Sequence, residues 1–295
     1  MKEFNRLIVA MSTAMFLVCS LMIVTGPERL PDIENGVRLA VIGDFGKAGI
    51  PVIQVAKMVR SWNPEAVVTV GDNSYPSGSY RDLFFGIYPY YSWAIRSEKL
   101  VTTLGNHDWG YPWDEGWDSD EIPLLKALPY LPGNGRYYSV LFGDNLVEAF
   151  IIDTDPREPD GIEEDSTQGQ WLKNGLSHST ATYQLIFMHV PPYSSCLFGD
   201  NSSVSWPFQE WGAEAVFAGH CHNYERVMKD GFPYFVNGLG GHPGLTEFEE
   251  ITDGSTVRYV DNFGAQLIEA TQEKMTISFI TIDGDTIDYY EIYSK

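Results

Sequence analysis

Residues 37–46 have the sequence VRLAVIGDFG, which indicates the class of fold. Its first seven residues are mostly apolar and rich in β-branched side chains, which predicts a parallel strand covered on both faces. The strand ends in a glycine and Asp44. The next segment, IPVIQVAKMVRSW (50–62), has apolar residues at helical spacing and Pro51 in its first turn. The stretch therefore predicts a strand followed by a helix, the repeating unit of a parallel sheet.

Four more apolar segments repeat this pattern of a strand that ends in polar residues. They are AVVTVG (66–71), KLVTTLGNHD (99–108), YQLIFMHV (183–190) and AEAVFAGHCH (214–222). A helix capped by Ser166 or Thr167 is predicted for STQGQWLKNGL (166–176). In open α/β sheets, active sites form at the carboxyl ends of the strands. We therefore expect these polar residues to converge although they lie far apart in sequence.

The rest of the chain adds antiparallel strands. Residues 136–153 contain strands and the turn FGDN, and residues 257–293 contain strands separated by DNFG and IDGD. No repeat or linker divides residues 37–295. The sequence therefore predicts an α/β fold with mixed sheets in a single domain.

The N-terminal residues predict an export signal. Lys2 and Arg6 precede an uncharged, largely apolar run at residues 7–24, and PERLPDIENG separates this run from the first strand. Because the run is borderline long enough to span a bilayer, residues 1–26 are interpreted as either a cleaved signal peptide or a signal anchor, followed by a linker at 27–36. Both alternatives place residues 37–295 outside the cytoplasm, as a secreted, periplasmic or membrane-anchored domain.

Composition limits the partners of this chain. Apolar residues make up 44% of the 295 residues, which is enough for a sizeable core. The net charge of −21 argues against nucleic acid as a partner, because non-specific binding to its backbone depends on Lys and Arg. The same charge repels small anions, so an anionic ligand needs local cations. Cys196 and Cys221 form no metal-binding CxxC pattern, and the sequence is compatible with a disulfide between them or with two thiols.

Eight side chains at the strand ends are of the types that serve a metal centre. Carboxylate, amide, phenol and imidazole groups bind hard and borderline cations, and one carboxylate such as Asp72 can bridge two of them. Two cations about 3.5–4 Å apart can generate hydroxide from water and hold the oxygens of a phosphate ester. The eight residues are Asp44, Asp72, Tyr75, Asn106, His107, His189, His220 and His222.

The motifs GDFG, GDNSY, GNHD, MHVPPY and GHCHNYER occur in the order found in calcineurin-like metallophosphoesterases, which the chain therefore resembles. Many members of that superfamily begin with DxH, whereas this chain has Gly46 in place of the histidine and Tyr75 three residues after Asp72. DxG together with GDxxY is similar to the purple acid phosphatases, and the length is similar to their small, tartrate-resistant type. The resemblance covers residues 37–240 and implies a four-layer α/β/β/α sandwich.

The resemblance also implies a ligand set for two metal ions. The first ion, Fe(III) in the family, would be held by Asp44, Asp72, Tyr75 and His222. The second, Fe(II), Zn(II) or Mn(II), would be held by Asp72, Asn106, His189 and His220. His107 would act as proton donor and Asp108 would orient it, while a metal-bound hydroxide attacks phosphorus. The implied activity is hydrolysis of small phosphate monoesters, as in an acid phosphatase.

Two other functions are compatible with the same residues. A phosphodiesterase or nucleotide hydrolase would use the same two metals in a wider cleft. An extracytoplasmic binding protein with a residual metal site is less favoured, because the ligand set is complete.

Four features lie outside the shared pattern. Phe198 stands nine residues after His189, where the family often has another histidine. The family's substrate range therefore does not carry over directly to this chain. His242 is interpreted as a loop histidine rather than part of the site. Arg226 is assigned equally to a phosphate contact and to a salt bridge. The segment DWGYPWDEGWDSDE (108–121) is interpreted as a loop that overhangs the site.

Overall fold

The strands form two mixed sheets in the computed structural model, which describes residues 29–110 and 116–295. The first sheet contains β1 Gly36–Ile42, β2 Ala66–Thr69, β3 Leu100–Thr102, β11 Gly264–Thr271, β12 Lys274–Thr281 and β13 Thr286–Tyr293. The second contains β4 Tyr138–Phe142, β5 Val147–Ile151, β6 Tyr183–Phe187, β7 Ala215–Ala218, β8 Tyr224–Lys229, β9 Phe232–Asn237 and β10 Ser255–Tyr259. The five predicted parallel-type strands are β1, β2, β3, β6 and β7.

The strand order joins parallel and antiparallel strands in each sheet. The first sheet runs β13-β12-β11-β1-β2-β3, with β1, β2 and β3 parallel. The second runs β10-β8-β9-β7-β6-β5-β4, with β5, β6, β7 and β9 parallel. The carboxyl ends of β1, β2 and β3 lead to Asp44, Asp72 and Asn106. Those of β6 and β7 lead to His189 and His220.

The described helices lie along the outer faces of the two sheets or in the connections between strands. They are α1 Ile50–Ser61, α2 Tyr80–Gly86, α3 Tyr88–Arg96, α4 Pro123–Ala127, α5 Thr167–His178 and α6 Phe208–Trp211, with a short 3-10 helix at Ser202–Val204. Ser166 caps α5, because its side chain accepts a hydrogen bond from Gly169 N at 3.1 Å. The sequence missed α2 and α3, although Ser79 and Asp82 form a capping box at the start of α2.

The alternation of side chains along each strand builds three apolar cores. Leu39 and Val41 of β1 pack in a cluster with strands of the second sheet, such as Leu185. Ala40 and Ile42 point to the opposite face and pack against α1. On the outer face of the second sheet, a third cluster packs against α5 and α6. The layers are therefore α/β/β/α, which confirms the fold class predicted from the sequence.

The C-terminal strands are divided between the sheets. β10 pairs with β8 in the second sheet, whereas β11 pairs with β1 in the first. The turn DNFG therefore carries the chain from one sheet to the other, while IDGD closes the β12–β13 hairpin as predicted. The predicted leader at residues 1–26 lies outside the described residues. Within the described part of the chain, no helix is long and apolar enough to cross a membrane.

Candidate metal centre

Three of the predicted ligands have left-handed backbone conformations directly after their strands. The φ angles are 53° at Asp44, 51° at Asp72 and 69° at His220. Few non-glycine residues adopt this region, and such residues cluster at functional sites. Close packing reinforces the turn, since a Cβ at Gly71 would collide with the ring of His189. The strand ends therefore turn sharply and bring the polar side chains together.

One group of donors surrounds the phenol oxygen of Tyr75, and we call it the Tyr75 site. Tyr75 Oη lies 3.1 Å from Asp44 Oδ1, 2.8 Å from Asp72 Oδ2 and 3.2 Å from His222 Nε2. His222 Nε2 is also 3.3 Å from Asp44 Oδ1. Ligand atoms of Asp44, Asp72 and His222 all lie within 4.8 Å of one another. The four residues predicted to hold the first metal therefore converge.

A second group of donors surrounds His189, and we call it the His189 site. His189 Nε2 lies 3.4 Å from Asp72 Oδ1, 3.0 Å from Asn106 Oδ1 and 3.2 Å from His220 Nδ1. The two oxygens of Asp72 thus face different sites, since Oδ2 contacts Tyr75. Asp72 therefore contacts donor side chains of both sites.

Backbone carbonyls hold two of the imidazole rings. His189 Nδ1 lies 2.8 Å from Val70 O, and His222 Nδ1 lies 2.5 Å from Gly244 O. A proton on Nδ1 satisfies each carbonyl and leaves the lone pair of Nε2 for a metal. The rings are therefore oriented as ligands by contacts outside the donor groups.

Burial and mutual charge perturb the titration of these groups. Burial opposes ionisation of Asp44, but the hydrogen bond and charge of His222 outweigh it and lower the pKa of Asp44 to about 2. Burial and the carboxylates of Asp72 and Asp44 raise the pKa of Tyr75 well above its usual value. A phenolate here needs a cation to offset the two carboxylates. The donor set therefore fits a site that holds cations.

His107 lies at the edge of both sites. Its backbone N donates to Asp72 Oδ1 at 2.9 Å, its Nδ1 lies 2.6 Å from Pro76 O, and its ring centroid is 4.4 Å from that of Tyr75. Its side chain is 22% exposed. The side chain of His107 is therefore partly open to solvent, while Pro76 O holds its Nδ1.

Asp108 holds the backbone close to His107 and the neighbouring loop of Asn73. Its Oδ2 accepts hydrogen bonds from Gly105 N at 2.9 Å and from both nitrogens of Asn73, at 3.1 Å from N and 2.8 Å from Nδ2. Burial and the charge of Asp72 raise the pKa of Asp108 to about 6. Asp108 therefore links the loop that carries Asn106 and His107 to the loop that carries Asn73.

Arg157 is a structural contributor that the sequence analysis missed. Its guanidinium donates to Asn106 O and Gly110 O, each at 3.1 Å, and to Asp155 Oδ1 at 2.7 Å. It therefore ties the loop after β5 to the loop that carries Asn106 and His107. The signal was available, because DTDPRE follows a buried strand at the same edge of the sheet.

His242 belongs to the site, contrary to its interpretation as a simple loop histidine. Its ring centroid lies 4.5 Å from that of Tyr75 and 4.4 Å from that of His222. Its backbone N donates to Asp44 O at 2.9 Å. Arg226, by contrast, pairs with Asp288 (Nε to Oδ2 2.8 Å), so its salt-bridge interpretation is the one that the geometry supports.

A disulfide resolves the two alternatives for the cysteines. Cys196 is bonded to Cys221, which lies between His220 and His222. The bond ties the loop after β6, which carries Phe198, to the ligand loop after β7. The ring centroid of Phe198 lies 4.3 Å from that of His220.

The described residues of the acidic, tryptophan-rich segment at 108–121 are anchored to the domain. Trp109 is 1% exposed and donates from Nε1 to Asp153 Oδ2 at 2.8 Å. Trp117 Nε1 donates to Ser77 O at 3.0 Å. Both ends of the segment are therefore anchored, and residues 111–115 lie outside the described part of the chain.

Comparison with known proteins found a family and several relatives that this chain is similar to. The family described as calcineurin-like phosphoesterase matches residues 37–224. The chain is 21% identical over 299 aligned residues to tartrate-resistant acid phosphatase type 5 of Oryctolagus cuniculus, covering 85% of this chain and 89% of that protein. It is 25% identical to probable purple acid phosphatase 20 of Arabidopsis thaliana over 243 aligned residues, covering 72% of this chain and 54% of the relative.

Solved structures share the fold. A purple acid phosphatase, PPD1, from yellow lupin (Lupinus luteus) seeds has a TM-score of 0.67 at 18% identity and covers 90% of this chain and 55% of its own. GAP50, described as the anchor in the inner membrane complex of Plasmodium, has the same TM-score and identity and covers 88% of this chain and 89% of its own.

Proposed function

Because this chain belongs to the calcineurin-like phosphoesterase family, we propose that it is a dinuclear-metal hydrolase of phosphate monoesters of the purple acid phosphatase type. The observation that carries the proposal is the position of Tyr75. Its Oη lies between two carboxylates and an imidazole, at 2.8–3.2 Å from each. The phenol takes the ligand position opened by Gly46, where many relatives have a histidine.

The donor sets determine which residues would hold each ion. Hard carboxylate and phenolate groups at the Tyr75 site suit Fe(III), and the amide and two imidazoles at the His189 site suit Fe(II), Zn(II) or Mn(II). Two such ions, when bound, supply a water of lowered pKa and neutralise phosphoryl oxygens. Asp72 would set their separation, since it offers one oxygen to each site.

The chain's own contribution to bond cleavage would come from His107. In the protonated ring, the proton on Nδ1 stays with Pro76 O, and the proton on Nε2 can pass to the leaving alkoxide. Asp108 would act as a positioning residue for His107, because it fixes the backbone of Gly105 and Asn73. The Nε2 atoms of His189 and His222 would bind metal ions, whereas His107 lies outside the ligand set and can donate a proton.

Iron loading tests the Tyr75 site directly. Protein loaded with iron is expected to absorb in the visible through charge transfer from the Tyr75 phenolate to Fe(III). Tyr75→Phe removes only the phenol oxygen, so the variant should lose this visible absorption band while it keeps its fold. Absorption spectra and iron content are measured on the same samples. A colourless native protein with full diferric occupancy contradicts the Tyr75 assignment.

Substrate preference tests the monoesterase proposal. We expect the metal-loaded protein to hydrolyse p-nitrophenyl phosphate at least about tenfold faster, in kcat/KM, than bis(p-nitrophenyl) phosphate. In the diester a second aryl group is bonded to one of the oxygens that are free and charged in the monoester, so the diester has fewer charged oxygens for the metal ions and needs more room. Both release the same chromophore, so a single absorbance assay compares them. Faster diester cleavage supports the phosphodiesterase alternative. Cleavage of neither ester by protein with both ions bound supports a binding protein instead.

We also propose that the domain works outside the cytoplasm. The predicted leader at residues 1–26 supports this location, and so does the Cys196–Cys221 disulfide, because such bonds persist in oxidising compartments. Attachment to a membrane through residues 7–24 stays a prediction from the sequence.

A further inference from the structure

The metal centre opens into one cavity of about 550 Å³. One part of its lining consists of metal-site residues and His107. Another part, which we call the apolar lining, consists of Pro156, Ile162, Val190, Pro191, Leu197 and Phe198. A cavity of this size holds a phosphoryl group together with a ring-sized substituent.

Two residues of the apolar lining are held open to solvent. Leu197 is 55% exposed and Phe198 is 54% exposed. Large apolar side chains grouped at a cavity mouth are a common mark of a binding surface. Their neighbour Cys196 is only 3% exposed and is tied to Cys221, while Gly199 N donates to Cys196 O at 2.9 Å. This anchored turn keeps the pair from collapsing onto the core, so the surface is pre-organised.

Cationic side chains are missing from the described part of the cavity lining. No Lys or Arg lines it among residues 29–110 and 116–295, and the charged residues besides the histidines are Asp72 and Asp155. The guanidinium of Arg157 is engaged by Asp155 and by carbonyls of the Asn106 loop. Outside the metal sites, the lining offers an extra anionic group the uncharged polar side chains of Thr154, Asn201, Ser203 and Thr246 but no positive charge. Apolar side chains and carboxylates make up the rest, and they penalise a desolvated negative charge.

We propose that the apolar lining is a leaving-group subsite that selects monoesters with an uncharged, apolar leaving group, such as an arylalkyl alcohol. Esters with a second anionic group on the leaving group are selected against. This inference rests on the proposed monoesterase function and assigns its substrate class. Leu197 and Phe198 contact the leaving group, while the metal sites receive the phosphoryl group.

The test compares three monoesters that all release an alkoxide, so that the metal chemistry is matched. We expect kcat/KM to be highest for 2-phenylethyl phosphate, at least about tenfold lower for glycerol 3-phosphate, and lower again for 3-phosphoglycerate. Phe198→Ala should lower kcat/KM for 2-phenylethyl phosphate about tenfold more than for glycerol 3-phosphate. Leu197→Ala should act in the same direction. Phe84→Ala is the control, because Phe84 is 63% exposed on α2 and does not line the cavity.

The possible outcomes distinguish failure of the leaving-group subsite from failure of the monoesterase function. Equal rates for 2-phenylethyl phosphate and glycerol 3-phosphate in the native protein overturn the subsite, while the monoesterase function stands. An unchanged preference in both Phe198→Ala and Leu197→Ala does the same. Loss of hydrolysis of every ester by native protein with two bound ions overturns the monoesterase function itself.

Discussion

Asp72→Ala is expected to abolish the binding of both metal ions and, with it, all hydrolysis of phosphate esters. Asp72 Oδ2 lies 2.8 Å from Tyr75 Oη, and Oδ1 lies 3.4 Å from His189 Nε2. Asp72 is thus the carboxylate whose two oxygens contact donor side chains of both sites. The Tyr75 site then keeps three donors and the His189 site keeps three, but the charge that holds the two ions together is gone.

Metal content per chain after dialysis and the rate of monoester hydrolysis are the two measurements. Glu273→Ala is a matched control, because it also removes one negative charge but from an exposed position remote from the site. Circular dichroism shows that both variants fold. Two ions per chain retained in Asp72→Ala would falsify the bridging assignment.

His107→Ala is expected to keep both metal ions and to lower kcat for an alkyl phosphate by about 10²–10⁴-fold. The ring contributes no donor atom to either site in the ligand set above, so metal content should stay at the native level. What is lost is the proton for the leaving oxygen. His178→Ala is the control, since that histidine lies at the exposed end of α5.

A second substrate separates proton donation from a purely structural role of His107. p-Nitrophenolate is a stable leaving group that hardly needs a proton, so its ester should lose much less rate than the alkyl ester in His107→Ala. Equal losses on both esters would mean that the ring acts by shaping the site. An unchanged kcat on the alkyl ester rejects the proton-donor role.

The scaffold of the site was predictable because it depends on local composition. Continuous apolar runs indicate buried strands such as β1. The helical period and the Ser166 cap indicate the helix α5. The aromatic helices α2 and α3 were not predicted, because Tyr, Phe and Trp have only modest helix propensity and are enriched in strands. The passage of the chain from one sheet to the other at DNFG was not predicted, because the sequence of a strand does not show which strand it pairs with.

The ligand set was also available from residue types and their order, but several neighbours were not. His242 was interpreted as a loop residue, yet its ring lies 4.4 Å from that of His222. The resemblance implies that Asp108 orients His107, and the structure adds that its carboxylate accepts hydrogen bonds from Asn73 and Gly105. Sequence adjacency shows which backbone a residue shares, and not which side chains it contacts.

Residue type and period are enough to predict which strands are buried and which donor atoms are available. How those donors are shared between the two sites depends on the packing of the two sheets. Asp44 Oδ2 accepts from His220 N, 176 residues away, and the two oxygens of Asp72 are divided between the Tyr75 and His189 sites. The tertiary structure also placed Phe198 against His220 and paired Cys196 with Cys221. Such contacts arise when two sheets pack and their loops meet at one edge. That packing depends on many weak apolar contacts, which no single sequence motif contains.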